Sequence, residues 1–211
     1  MRLGGEFTGT PEGRCPPEPS AGGPLCGYKL AHLLLSRDGT RAGFTGVSVG
    51  GALPYGVLAD ARCAYGRRHP RPAPRCDCGF HALHSRADAL ALTRAGAHRC
   101  TALLEVTALG GRIRYARGMR YARQRVRSVH VGPCDCGLPP GVFVDAGRGR
   151  AGCRALTGAC ARCATGRDTV GFGTFAQLAG GGLRVIAGHG RADGSGAPSG
   201  TAGACWHVRV R

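Results

Sequence analysis

The sequence predicts an α+β chain: a small antiparallel sheet with one helix, followed by a zinc-ribbon-like segment and a Gly-rich tail. Three observations carry this reading. Short β-type runs separated by glycines fill the stretch from Leu103 to Val131. One stretch, after Ser85, has helical capping and spacing. From Pro133 to about Arg167, paired cysteines stand where apolar residues would otherwise build a core.

Residues 1–25 read as a disordered leader, rich in Gly, Pro, Glu and Ser and without apolar periodicity. Residues 26–133 form the α+β unit. Tyr28 to Ser36 is a first strand or short helix, and Val57 to Cys63 a second strand. A Pro- and Arg-rich loop, Arg67 to Arg75, leads to Cys76-Asp77-Cys78-Gly79-Phe80-His81-Ala82. Ser85 with Asp88 then starts the helix, since side-chain oxygens there can satisfy the first orphan N–H groups. Its buried stripe is expected at Ala87, Leu90 and Ala91, with Gly96 as the stop. Leu103 to Val106 is a strand, Gly110-Gly111 turns into Arg112 to Tyr115, and Gly118 turns into Tyr121 to Val131. Residues 134–167 are the zinc-ribbon-like segment. Residues 168–211 are a partly flexible tail with strands at Leu183 to Ile186 and Trp206 to Val210, joined by a linker from Gly188 to Gly203.

Composition narrows the function classes. The chain of 211 residues has 38 glycines, 13 prolines and only 6% aromatics, which implies a core smaller than its length suggests. The longest apolar run, Leu30 to Leu35, is far too short to span a bilayer, and the start lacks the apolar core of a secretory signal. A cytoplasmic protein is expected, whose twelve cysteines serve as thiols and metal ligands rather than as a disulfide framework. The formal charge of +17 comes from arginine, with Lys29 the single lysine. A GC-rich genome explains Arg over Lys; the shortage of acids points to nucleic acid or another polyanion.

The strongest motif is a pair of cysteine pairs, Cys134-Asp135-Cys136-Gly137 and Cys160-Ala161-Arg162-Cys163, with 23 residues between them. Two short pairs on turns direct four sulfurs to one point, the tetrahedral thiolate shell of a structural zinc ion. Cys153 lies between the pairs and is a possible substitute ligand. A redox pair at Cys160 and Cys163 lacks the βαβ surroundings of that motif. The second cluster is Cys63, His69, Cys76, Cys78 and His81, spaced C-x5-H-x6-C-x-C-x2-H. Both residue types are good zinc ligands. A catalytic ion there would need a carboxylate base. Asp60, Asp77, Asp88 and Glu105 are the nearby acids, but none stands in an H-x-E or H-E-x-x-H arrangement. A thiolate of Cys76 or Cys78 activated by His69 or His81 is a further alternative.

The Gly-rich runs lack the Walker pattern, which excludes a P-loop. The basic stretch is more informative. Arg112, Arg114, Arg120, Arg123, Arg125 and Arg127 interleave with Tyr115 and Tyr121, and on a strand Arg123, Arg125 and Arg127 share one face. Such a face can follow a phosphate backbone with tyrosines stacking on bases, or can simply be a solvated outer face.

The segment Cys76 to Ala82 resembles a family of bacterial and phage proteins of no established activity, with the motif C-x-C-G-[FIY]-[HY]-A. The resemblance extends over roughly residues 26 to 136 through Ala61-Arg62-Cys63, His69 to Pro72, Ala87 to Ala95, Gly111 to Ile113 and Gly118 to Ala122. It implies a shared fold and a metal-like site, and carries no catalytic residue. Together these features read as a basic, zinc-binding, non-enzymatic binding or regulatory protein in contact with nucleic acid. The alternatives are a metal- or cysteine-dependent hydrolase or transferase using the Cys63–His81 cluster, and a thiol-based redox sensor.

Overall fold

The computed structural model describes residues 25–47, 53–93, 98 and 100–188. The predicted leader (but for Leu25), the Gly96 helix stop, the linker beyond Gly188 and the strand at Trp206 to Val210 lie outside these residues.

The fold class differs from the one the sequence predicts. Strands take up 49% of the described residues and helices 13%, so the molecule is sheet-dominated rather than a small sheet with one helix. The strands are β1 (Leu25–Ser36), β2 (Ala42–Gly46), β3 (Leu58–Asp60), β4 (Phe80–Leu83), β5 (Ala102–Arg114), β6 (Gly118–Val131), β7 (Val142–Arg150), β8 (Cys153–Ala159), β9 (Thr169–Gly171) and β10 (Arg184–Ala187). Three short helices accompany them: α1 (Arg86–Thr93), α2 (Ala161–Ala164) and α3 (Phe172–Leu178).

The hydrogen-bonded path closes on itself. β1 pairs with β5, β5 with β6, β6 with β4, and β4 returns to β1 through Tyr28 and Leu83, all antiparallel. The other half of β1 carries β2 on one side and β8 on the other, and β8 continues through β7 to β9. The cysteine-rich segment is therefore joined to the first sheet by β1–β8 pairing. β10 adds a parallel strand to β6, so part of the predicted tail is built into the fold.

Burial on two faces explains why the run Leu30 to Leu35 lacks alternation. Ala31, Leu33 and Leu35 face the main core with Phe44, Leu104, Val106, Val126, Phe143 and Phe175. Leu30 faces a second cluster with Leu83, Ala89 and Leu103, covered by α1. The α1 start is as read: Ser85 Oγ accepts from the Asp88 amide at 3.2 Å. Its stripe is displaced, however. Ala89 is fully buried beside part-buried Leu90, while Ala87 and Ala91 are exposed. α3 fixes the far end of the core, with Phe175 packed on Phe143 at 5.0 Å and Phe44 at 6.0 Å between ring centroids.

A further correction concerns Gly110-Gly111. These residues do not turn the chain. β5 runs through them to Arg114 with a register shift between Leu109 and Arg112, and Gly110 has φ of +70°. A left-handed glycine inside a ladder is a bulge, which bends a strand without ending it. The reversal comes later, where the Tyr115 amide donates to the Gly118 carbonyl at 2.8 Å.

Candidate metal centres

Eight side chains gather into two groups of four, and within each group the ligand atoms lie within 4.8 Å of one another. The first is Cys63, His69, Cys76 and Cys78; the second is Cys134, Cys136, Cys160 and Cys163. Each could hold a metal ion.

In the first group Cys63 follows β3, and Cys76 and Cys78 precede β4, with His69 on the loop between. Cys63 and Cys76 sulfurs are 3.8 Å apart. A disulfide needs about 2.05 Å, whereas two thiolates on one tetrahedral ion with bonds of about 2.3 Å stand about 3.8 Å apart. His69 Nε2 lies 3.8 Å from Cys78 Sγ. Its Nδ1 is 2.8 Å from the Pro70 carbonyl; donation there leaves the Nε2 lone pair for a metal. That bond, followed by the Cys76 and Cys63 thiols, raises the His69 pKa. Burial pushes the Cys63 thiol up, but the Tyr65 and Arg67 amides, with Cys76 and His69, bring it down to about 7.

His81, the fifth predicted ligand, is not in the group. Gly79, at φ +118°, turns the chain into β4, and strand rise of about 3.3 Å per residue carries His81 away from the knuckle. His81 pairs in register with Arg120. Burial, followed by the positive charges of Lys29 and Arg120, lowers its pKa to about 4. Of the acids weighed as a base, Asp60 is committed to Arg123 and Asp88 faces Arg117.

The second group joins the turn after β6 to the start of α2. The Gly137 amide donates to the Cys134 carbonyl at 2.7 Å, and Gly137 has φ of +87°. Cys160 precedes α2 and Cys163 lies on it, which brings the Cys163 amide to the Cys160 sulfur. Cys136 and Cys160 sulfurs are 3.5 Å apart. The Cys163 amide, against burial and together with neighbouring thiols, lowers the Cys160 pKa to about 7. Cys163 is pushed up to about 12, chiefly by Cys136, Cys134 and Cys160. Four sulfurs at one point hold their last proton unless a cation replaces it. Cys153 stands on β8.

Sequence reasoning missed the part played by Arg120. Predicted as a nucleic-acid contact, it is 6% exposed. Its guanidinium donates to the carbonyls of Cys76, Cys78 and Ala73, and its Nε donates to Tyr115 Oη at 2.7 Å. The only sequence signal was its place in a strand between apolar positions Met119 and Tyr121. Tyr121 is also fully buried. Arg123 makes a bidentate pair with Asp60, at 2.7 and 2.9 Å. Arg114, Arg125, Arg127 and Tyr115 are exposed, and Arg112 is half-buried. Among the described residues, no helix is long and apolar enough to cross a membrane. No family model, no curated protein and no solved structure matches this chain.

Proposed function

We propose that this protein binds two structural zinc ions and is a zinc-stabilised, non-enzymatic binding protein. The observation that carries the reading is the convergence of two sets of four Cys/His donors, drawn from loops between strands rather than from one continuous turn. Thiolate with imidazole, and four thiolates, are donor sets that favour zinc over harder cations. Four protein ligands fill a tetrahedral shell and leave no open position for a substrate or hydroxide, which favours a structural role over hydrolysis. The charge agrees. Zinc with three thiolates and a neutral imidazole is a net anion, and buried Arg120, without a carboxylate partner among the described residues, stands beside it as counter-charge.

The test is elemental analysis of the purified chain, followed by cobalt substitution. About two zinc ions per chain, with cobalt spectra of one three-thiolate and one four-thiolate site, are expected. A preparation with less than one zinc per chain, unable to take up cobalt, overturns the reading.

A polyanion partner, nucleic acid being one, has one supporting observation. Arg123, Arg125 and Arg127 are exposed at alternate positions of β6 while Gln124, Val126 and Ser128 between them are buried. Binding by that row would fall steeply with salt, and Arg125→Ala with Arg127→Ala would flatten the slope by about two.

A further inference from the structure

α1 covers only part of the outer sheet face. Tyr28, Glu105 and Ser128 stand in one register row across β1, β5 and β6, and Leu30, Leu103 and His130 form the next. β10 extends the two rows with Arg184 and Ile186. Leu30 and Leu103 lie under α1, whereas Arg184 and Ile186 are exposed. His130 is therefore half-buried at an open margin of the face.

Three polar side chains of these rows form a chain of hydrogen bonds. The Ser128 hydroxyl donates to Glu105 Oε2 at 2.9 Å, and His130 Nε2 lies 3.1 Å from the same Ser128 oxygen. A hydroxyl has one proton to give. With the carboxylate accepting it, His130 donates its own Nε2 proton to Ser128 Oγ, which fixes the tautomer and leaves the lone pair on Nδ1. Nδ1 has no partner among the described residues and is not one of their enclosed polar atoms, so solvent reaches it. Ser128 itself is fully buried and its proton is committed to Glu105, which rules it out as the reacting group.

The surroundings select the reagent. Arg184 stands in register with Ser128, and Arg86 opens α1; neither has a carboxylate partner among the described residues. Burial, then Arg86, with Arg184 as a further cause, holds the His130 pKa below its ordinary value against the pull of Glu105. The ring is thus a neutral nucleophile at pH 8, oriented by a carboxylate through a hydroxyl. Two free guanidiniums repel a metal cation from its lone pair and attract an electrophile that carries oxyanions.

We infer that His130 is a phosphoryl-acceptor site, modified on Nδ1 by a small anionic phosphoryl donor whose oxygens meet Arg184 and Arg86. With phosphoramidate as the donor, the Nδ1 lone pair attacks phosphorus. The new N–P bond forms as the bond to the leaving nitrogen breaks, and that nitrogen departs as ammonia with the bonding pair. The ring keeps its Nε2 proton and becomes cationic, a charge that Glu105 stabilises through Ser128. No electron is gained or lost. The site is separate from both cysteine groups and stands independently of the zinc reading.

The experiment incubates the full chain, with its metal content intact, with phosphoramidate at pH 8. Mass spectrometry under neutral conditions locates phosphohistidine, and phosphorus NMR assigns the ring nitrogen. His130 should react at least about tenfold faster than in the urea-unfolded chain, and on Nδ1. His130→Gln should abolish this fast phase. Ser128→Ala and Glu105→Gln should slow it, and Ser128→Ala should also erase the preference for Nδ1. Arg184→Ala should slow phosphoramidate but leave the neutral reagent diethyl pyrocarbonate unaffected at His130. A folded rate no higher than the unfolded one, or addition at Nε2, overturns the site. Equal slowing of both reagents by Arg184→Ala overturns the phosphoryl group as what it accepts. Each variant is scored with wild-type circular dichroism and metal content, and the comparison of folded with unfolded wild type needs no variant.

Discussion

The two cysteine groups use the same tetrapeptide in different surroundings. Cys76-Asp77-Cys78-Gly79 and Cys134-Asp135-Cys136-Gly137 are identical, and each ends in a left-handed glycine. The partners differ. The first group takes Cys63 and His69 from upstream and is packed under the buried guanidinium of Arg120. The second takes a C-x-x-C pair from the start of α2, and Cys136 is exposed. The difference teaches that a knuckle sequence specifies local geometry only. What the site is worth to the fold depends on what surrounds it. The first group anchors β3 and β4 to the closed part of the sheet, while the second clips a turn to a one-turn helix at its margin.

The comparison can be broken by removing one ligand from each side. Cys78→Ser should cost more than about 5 kcal/mol, a large part of a domain's stability, and release one zinc ion. Cys136→Ser should cost about 2–3 kcal/mol, because water can reach the vacant position. Denaturant unfolding with metal analysis checks both, and equal losses would erase the distinction. Arg120→Met comes next. It strands carbonyl oxygens of the ligand loop at about 1–3 kcal/mol each, for a total of about 3 kcal/mol. Zinc competition with a chelator should show weaker binding at the first group and unchanged binding at the second. Chelation kinetics sharpen the contrast further: the second group, open to water at Cys136, should surrender its metal first, giving two phases that cobalt spectra can assign.

A further expected effect lies away from both groups and concerns Lys29. Its folded pKa, about 7, is below the ordinary 10.5, so between these values the unfolded chain binds the extra proton. Stability should therefore rise with pH across that window, at up to about 1.4 kcal/mol per unit, and be lowest below pH 7. The difference between wild type and Lys29→Met isolates this slope from titrating thiols. A flat difference would mean that the amine keeps its ordinary pKa.

The cysteine groups were largely legible in the sequence because C-x-C-G and C-x-x-C are local devices. Choosing between His69 and His81 was not possible from spacing. His81 is closer to Cys78 in sequence, but β4 extends it away, while a long loop folds His69 back. The sheet was underestimated because its closure rests on distant pairings, such as Tyr28 with Leu83 in β1 and β4, which leave no trace in periodicity. Gly110-Gly111 shows a smaller limit: turn and bulge glycines look alike until the partner strand is known. In the basic stretch, alternation identified Arg123, Arg125 and Arg127 as one face, yet little beyond its apolar neighbours marked Arg120 as buried, since the backbone carbonyls it serves are over 40 residues away.

β4 is only four residues long and begins directly after Gly79. It covers the edge of β6 from Gly118 to Tyr121 and supplies the single bridge that returns to β1. A strand this short has little to hold it in place once its preceding loop is loosened, and an uncovered edge is a template for another chain. Metal-starved synthesis would then expose that edge before the core melts. The first symptom of zinc shortage would be self-association through β6, seen as soluble oligomers by light scattering at temperatures where circular dichroism still reports a native sheet.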